Sequence, residues 1–272
     1  MRLSNHRLYD MHIHSHFSGD SDANPIQIAQ KAVDLELHGI CFTDHLDLDY
    51  KESPGLFDLD ISSYKKEIIS VKESFGNRLD IGFGIELGLQ PYLAEENNKI
   101  ILENEFDFVI GSTHVVKQMD IYYPSFYEGR KEDDCYREYF EETLKNTSSD
   151  VNFDVYGHLD YVVRYGPNKN QFYSYQKFSD VIDEILRTLI NNGKGIELNT
   201  AGFKYGLGHA HPTIDILKRY KKLGGEILTI GSDGHAPEQI AWEFEKVPSL
   251  LEEAGFQYFT IFKKRKPEFI KL

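Results

Sequence analysis

The stretch Leu8-Tyr9-Asp10-Met11-His12-Ile13-His14 decides the fold prediction, because an apolar β-strand pattern here ends in two histidines. Side chains alternate between the two faces of a strand, so His12 and His14 point to the same side. Both imidazoles can therefore bind one metal ion. An HxH triplet by itself is more often a polar strand face, so its meaning depends on the rest of the chain.

Short apolar runs alternate with amphipathic stretches along the remaining sequence. We predict seven strands, over residues 8–14, 39–43, 79–87, 108–112, 155–158, 195–199 and 226–231. An eighth, over residues 258–262, has basic flanks and is expected at an edge. Helical patterns lie between the strands, for example over residues 25–37, 61–75 and 212–223. This alternation predicts an α/β fold with a parallel sheet closed into a TIM-like barrel, and one domain spanning residues 1–272.

The overall composition limits the class of protein. The chain has 272 residues, 40% of them apolar, and a formal charge of −14, which argues against binding a nucleic-acid backbone. A phosphorylated small molecule remains possible, because three divalent cations would add about +6 at one place. No apolar run reaches the roughly 18 residues of a membrane span, and no secretion signal is seen, so we expect a cytoplasmic protein. Cys41 and Cys135 are expected to be reduced thiols.

Metal-binding residue types end nearly every predicted strand. Parallel barrels present their catalytic groups at this end of the strands, so the side chains should meet at one mouth. The residues are His12, His14, His45, Glu86, His114, His158, Asp233 and His235. Imidazoles and carboxylates without thiolates suit Mn, Fe, Zn or Co. Because these ligands are too many for one tetrahedral ion, we predict two to three divalent metal ions.

The other histidines do not end an apolar strand, so their expected role is at the surface, at a helix end or in support of the site. They are His6, His16, His38, His209 and His211. His209 and His211 lie in a glycine-rich loop after the sixth strand and are also candidates for contact with substrate.

These motifs, in this order, resemble those of the PHP (polymerase and histidinol phosphatase) phosphoesterases. The resemblance covers residues 10–14, 43–45, 84–86, 112–114, 156–160 and 231–235, which is most of the chain. Residues 158–161 with Arg164, and residues 197–202, are similar to the stand-alone histidinol-phosphate phosphatase branch. The resemblance implies a distorted (β/α)7 barrel with three metals and hydrolysis of L-histidinol phosphate by a metal-activated water.

The resemblance also implies a ligand set. The first metal would be bound by His12, His14, Glu86 and Asp233, and the second by Glu86, His114 and His158. His45, His235 and Asp20 would bind the third metal. Asp20 stands where relatives often have histidine, so the identity and occupancy of this third metal are left open.

The remaining roles concern the phosphate ester. Arg164 is expected to bind phosphate through its planar guanidinium, with Tyr161 beside it. Asp160 or His235 is expected to protonate the leaving alkoxide, and Asp160 is preferred because a ligand histidine cannot readily serve both roles. Glu197 or Asn199 would receive the ammonium or imidazole of the substrate.

Three alternatives stay open at this point. A phosphoesterase of this family could act on a nucleotide, an oligonucleotide or a phosphotyrosine protein. A metal-dependent amidohydrolase would share the barrel, but it commonly bridges its metals with a modified lysine near the end of the fourth strand. Here the first lysine after that strand is Lys117, and Glu86 is the expected bridge. A metal-binding protein without turnover is the third alternative.

Overall fold

The computed structural model describes residues 8–272, so His6 lies outside the described residues. The central sheet has eight parallel strands. Seven of them form the barrel, and the eighth, His45–Leu46, is a two-residue strand that pairs with Asp80–Gly88. Val115–Val116 and Met119–Asp120 form a separate short hairpin. The seven barrel strands are followed near the C-terminus by two further strands. In chain order these are β1 (Tyr9–Ile13), β2 (Gly39–Phe42), β3 (Asp80–Gly88), β4 (Phe108–Ser112), β5 (Val155–Tyr156), β6 (Gly195–Asn199), β7 (Leu228–Gly231), β8 (Tyr258–Lys263) and β9 (Lys266–Lys271).

Helices alternate with these strands and cover the outside of the sheet. They are α1 (Pro25–Asp34), α2 (Ile61–Phe75), α3 (Ala94–Glu103), α4 (Glu132–Ser148), α5 (Ser179–Asn191), α6 (Ala201–Lys204), α7 (Ile214–Lys222) and α8 (Val247–Ala254). Local sequence explains where several of them begin. Asn24 accepts hydrogen bonds from two backbone N–H groups at the start of α1, where proline occupies the first turn, and Asp60 does the same for α2.

The seven strands pair in chain order from β1 to β7, and every pairing is parallel. The sheet closes through its C-terminal end rather than through a ladder between β7 and β1. There the N–H of His14 donates to the Gly234 carbonyl, and the N–H of Asp233 donates to the His12 carbonyl, both at 2.9 Å. These two bonds bring the ends of the first and last barrel strands together, so the predicted distorted seven-stranded barrel is confirmed.

The eighth predicted strand does not join the barrel. It forms β8, which pairs antiparallel with β9 as a separate hairpin. The turn of this hairpin docks under the barrel, where Arg265 Nε donates to Asp154 Oδ2 at 2.5 Å and the Lys264 N–H donates to Asp107 Oδ1 at 3.1 Å. The sequence analysis did not predict β9. Four consecutive residues of β8, Phe259 to Phe262, are buried, whereas β9 is mostly exposed.

One continuous cluster of buried apolar side chains runs from Leu8 to Phe262 through the barrel and its helices. Its position leaves the polar strand ends at one mouth. Among residues 8–272, no helix is long and apolar enough to cross a membrane. The prediction that residues 1–272 form one domain stays a prediction.

Candidate metal centre

Glu86 stands at the centre of the site, at the end of β3. Its Oε2 lies 3.2 Å from His12 Nε2 and 2.9 Å from His45 Nδ1. Its Oε1 lies 3.0 Å from His158 Nε2 and 3.5 Å from His114 Nε2. His14 Nε2 also lies 3.5 Å from Oε2, so one carboxylate faces five imidazoles, which come from four different strand ends.

This convergence follows from the barrel. Parallel strands end on the same side, so residues that are far apart in sequence meet at one mouth. His12 and Glu86 are fully buried, as are His14 and His158 to within 2% of their surface. Such burial of several titratable groups is costly unless they are paired or bind metal ions.

The third group of predicted ligands lies on the opposite side of Glu86. His14 stacks between the rings of His45 and His235, at centroid distances of 4.1 and 4.2 Å. Asp20 Oδ2 lies 3.2 Å from His235 Nε2 and 3.8 Å from His45 Nε2. Asp233 Oδ1 lies 3.5 Å from His14 Nε2, between the first group and the third. The structure therefore brings all nine predicted ligands to one mouth.

The donor atoms fit divalent cations. Nε2 of His12, Nε2 of His14 and Oε2 of Glu86 are buried, have no hydrogen-bond partner and lie within 4.8 Å of one another. Polar atoms with this burial are normally satisfied, so three such atoms facing one point indicate a ligand there. Glu86, His114 and His158 form a second group with the same spacing, and His14, His45 and His235 form a third.

The opposite charges in this cluster stabilise one another and shift the pKa values of the groups that bear them. Burial would raise the pKa of Glu86, but the imidazoles of His12, His45 and His114 outweigh it and hold the pKa well below its usual value. Burial also opposes charge on His12, but the carboxylates of Glu197 and Glu86 outweigh it and raise the pKa. The Glu86 carboxylate is therefore ionised, as a metal ligand must be.

Buried carboxylates orient two of the histidines from behind. Glu197 Oε1 lies 2.7 Å from His12 Nδ1, and Asp47 Oδ2 lies 2.7 Å from His114 Nδ1. Each contact fixes the ring and leaves Nε2 directed at Glu86, as is common around metal-bound histidines. The sequence analysis did not identify Asp47. Its position two residues after His45 was the available signal, since residues two apart on a strand share a face.

The contacts of Glu197 and Asn199 favour a supporting role over the expected substrate role, which stays a prediction. Glu197 Oε2 accepts hydrogen bonds from the His158 N–H and the Asn199 side-chain amide, while Oε1 faces His12. Asn199 Oδ1 accepts the Ala201 N–H. Both side chains are buried and engaged, and neither lines the cavity, so they support the site instead of contacting a ligand.

Asp160 also lies away from the position expected of a proton donor. It is fully buried, its Oδ1 lies 2.5 Å from His211 Nδ1, and its Oδ2 accepts the Thr213 N–H. Burial alone would raise the pKa of Asp160, but the His211 contact outweighs it and lowers the pKa. Asp160 is not among the residues that line the cavity, and its expected role as proton donor stays a prediction. His209 likewise does not line the cavity, and its Nδ1 lies 2.8 Å from the Ala210 carbonyl oxygen.

Arg164 and Tyr161 do face the cavity, as predicted. The guanidinium carbon of Arg164 lies 4.6 Å from the Tyr161 ring centroid and 4.2 Å from that of Tyr205. Its Nη2 donates to Asp233 Oδ2 at 3.2 Å. The aromatic rings and the carboxylate thus fix a permanent cation beside the proposed ligands.

A cavity of about 190 Å³ opens above this centre. Its wall includes predicted ligands and four residues that the sequence analysis missed. The missed residues are Tyr165, Lys204, Tyr205 and Gln239. Lys204 is notable because burial lowers its pKa, and its charge lies next to the loop that bears Asp233.

Known proteins show the same combination of sequence and fold. The PHP domain family model matches residues 10–201. The histidinol-phosphatase of Lactococcus lactis subsp. lactis (strain IL1403) is 33% identical over 259 residues, which cover 94% of this chain and 95% of that protein. A Clostridium acetobutylicum protein named "Probable histidinol-phosphatase" is 31% identical and covers 95% of this chain and 98% of its own length.

A solved structure agrees with the fold as well. The crystal structure of histidinol phosphate phosphatase from Lactococcus lactis subsp. lactis Il1403, complexed with zinc, L-histidinol and phosphate, superposes with a TM-score of 0.88. The two chains are 32% identical, and the alignment covers 96% of this chain and 99% of the other.

Proposed function

The chain belongs to the PHP domain family, in its histidinol-phosphatase branch, and on that premise we propose that it hydrolyses L-histidinol phosphate to L-histidinol and phosphate. The observation that supports this most is the convergence of five imidazoles on Glu86 beside a small cavity that is also lined by Arg164. The proposed reaction is that of a metal-dependent phosphoric monoester hydrolase in histidine biosynthesis.

We propose that two to three divalent ions, Mn, Fe or Zn, bind to the clustered side chains. The proposed ligands are His12, His14, Asp20, His45, Glu86, His114, His158, Asp233 and His235. When bound, such ions neutralise phosphate charge and acidify a water for attack on phosphorus. Zinc accompanies the Lactococcus relative in its crystal structure, which supports divalent metal but leaves the choice among the three open.

The protein's own groups perform the remaining tasks. Arg164 presents a planar cation to the phosphate oxygens, held in place by Tyr161 and Tyr205. Of the two predicted proton donors, His235 is the one that lines the cavity, and we assign it to the leaving alkoxide in the state with two metal ions, in which His235 binds no metal. Glu197 and Asp47 keep His12 and His114 in position.

The size of the cavity favours a small phosphate monoester. At about 190 Å³ it falls below the roughly 300–1,000 Å³ common for drug-sized ligands. An oligonucleotide or a folded phosphotyrosine protein could place only its phosphate and the nearest atoms in a cavity of this volume. The exposed Lys117, which pairs with Glu138, offers no bridging lysine of the amidohydrolase kind.

A substrate panel tests this proposal. The metal-loaded protein is assayed with L-histidinol phosphate, p-nitrophenyl phosphate, a p-nitrophenyl nucleotide diester and a phosphotyrosine peptide. We expect L-histidinol phosphate to give the highest kcat/KM. Preference for the diester or the peptide would contradict the proposed substrate, and a metal-replete protein that hydrolyses none of the four would contradict enzymatic function. The predicted cytoplasmic location stays a prediction.

A further inference from the structure

Lys204 is a cation in the wall of the cavity that the proposed mechanism has not used. It is the last residue of α6, and its side chain lines the same cavity as Arg164 and His235. Nζ donates one hydrogen bond to the Asp233 carbonyl at 3.0 Å and another to Gln239 Oε1 at 2.9 Å. Both acceptors are neutral oxygens, so neither of them cancels the charge of the ammonium.

Within residues 8–272 no carboxylate lies at ion-pair distance from Lys204, although the charge of the Asp233 carboxylate acts on it from farther away, and this separates Lys204 from comparable residues. Arg164 is buried in the same wall but has the Asp233 carboxylate at 3.2 Å. On the surface, Lys218 has Glu253 at 2.7 Å. Among the ion pairs found within residues 8–272, none includes Lys204. A partly buried ammonium that lacks a carboxylate partner is costly, and the cost is explained if an anion supplies the missing charge.

The hydrogen bonds of Lys204 also fix the position of its ammonium group. Gln239 Oε1 accepts the His235 N–H at 2.9 Å in addition to the Lys204 ammonium. Asp233 has a left-handed backbone with φ of 53°, and Lys204 binds its carbonyl oxygen. The ammonium is thereby tied to the loop that presents Asp233 and His235. An ammonium has three N–H donors, so one remains after these two bonds.

We propose that Lys204 is a second phosphate-binding cation, which with Arg164 flanks Asp233 and receives the phosphate of a monoester substrate. The assignment rests on the proposed phosphatase function and deepens it. Arg164 binds the side chain of Asp233, and Lys204 binds its backbone carbonyl. A phosphate placed against the ligand cluster therefore has a fixed cation on either side of the same residue. The third N–H of Lys204 is the donor to a phosphate oxygen.

The test compares Lys204→Met, Lys204→Arg and the surface control Lys218→Met, all loaded with metal. The probes are inorganic phosphate as an inhibitor and p-nitrophenyl phosphate and L-histidinol phosphate as substrates. For Lys204→Met we expect the phosphate inhibition constant and the KM for both esters to rise about tenfold to a hundredfold, the range of a lost hydrogen bond to a charged group. Metal content should stay at the wild-type level. Lys204→Arg should recover most of the loss, and Lys218→Met should match the wild type.

Several results would overturn the assignment. One is an unchanged phosphate inhibition constant in Lys204→Met, and another is an equal change in Lys218→Met. A third is that Lys204→Met loses metal while the fraction that is still loaded binds phosphate as the wild type does. Lys204 would then only position the loop that bears Asp233 and His235. If Lys204→Met does not fold, Lys204→Gln is compared by the rise in Tm that phosphate produces, which should be smaller than in the wild type. An equal rise would reject the proposal.

These outcomes are separable from those of the substrate panel. Inorganic phosphate and p-nitrophenyl phosphate report on Lys204 whatever the natural leaving group is. A wild-type protein that ignores L-histidinol phosphate would contradict the proposed substrate without changing the phosphate measurements.

Discussion

Glu197 orients His12: its Oε1 lies 2.7 Å from His12 Nδ1, which leaves Nε2 of the same ring facing Glu86. The ring orientation of this proposed metal ligand is thus set by a carboxylate from β6, which is separated from β1 around the barrel only by β7. Such supporting carboxylates fix the tautomer of the imidazole and increase its basicity.

Replacing this carboxylate should weaken metal binding. For Glu197→Gln we expect the metal dissociation constant to rise about 10- to 100-fold, as is typical when the partner of a ligand histidine is changed. Metal content after dialysis against a chelator, measured by elemental spectrometry, reports the effect. Glu253→Gln is the matched control because Glu253 is an exposed carboxylate in a surface pair. Equal metal retention by Glu197→Gln and the control would contradict the role of Glu197.

Replacing Arg164 with lysine should lower the activity towards L-histidinol phosphate. A lysine keeps the charge but loses the planar group that packs against Tyr161 and Tyr205. For Arg164→Lys we expect kcat/KM for L-histidinol phosphate to fall about tenfold or more, as for a lost charged hydrogen bond. Steady-state kinetics with parallel metal analysis separates this from loss of metal. Wild-type kinetics in the variant would remove Arg164 from the phosphate site.

The role of His235 as proton donor should be visible in how the hydrolysis rate of a variant depends on the leaving group. If His235 protonates the alkoxide, His235→Asn should slow hydrolysis of L-histidinol phosphate by about 10²–10⁴. The loss should be smaller for p-nitrophenyl phosphate, because nitrophenolate leaves without a proton. Both substrates are compared on protein with equal metal content. A loss of the same size for both substrates would assign His235 to metal binding only.

The buried pair of Asp160 and His211 should appear in the pH dependence of stability. Burial lowers the pKa of His211 from 6.5 to about 4, against the opposing effect of Asp160. The unfolded chain therefore binds more protons than the folded one between these values, and the free energy of unfolding falls as pH drops from 6.5 towards 4. Above pH 6.5 His211 is neutral in the folded and the unfolded chain, so its titration no longer lowers the free energy of unfolding.

Denaturant unfolding of the wild type and His211→Gln across this range measures the effect. We expect the free energy of unfolding of His211→Gln to be lower than that of the wild type at neutral pH. Its slope against pH should be smaller by the equivalent of up to one bound proton. His16→Gln is a suitable control, since His16 is partly exposed and pairs only with Glu67 at 3.6 Å. Parallel curves for wild type and His211→Gln would contradict a buried neutral His211.

The sequence predicted the barrel and the ligand cluster for a physical reason. Strand ends are fixed by local apolar patterns, and a parallel barrel converts chain order into a ring of neighbouring ends. His12, Glu86, His114 and Asp233 could therefore be placed together without knowledge of any distance. The strand predicted over residues 195–199 was also confirmed with its bounds.

The supporting residues could not be predicted in the same way. Glu197 and Asn199 lie on a strand whose end faces the mouth, but the sequence does not show how deep each side chain lies. Asp160 was preferred as an acid because a ligand histidine cannot readily serve both roles, whereas its partner His211 comes 51 residues later, from another loop. Lys204 and Gln239 depend on two loops that meet only in the folded chain.

The most direct test of the whole account is anomalous X-ray diffraction from crystals of the protein grown with manganese or zinc. We predict two or three anomalous peaks within ligand distance of the side chains around Glu86, with one bounded by His12 and His14 and another by His114 and His158. A map in which these side chains keep their positions but no anomalous peak lies among them would contradict the metal centre on which the proposed function rests.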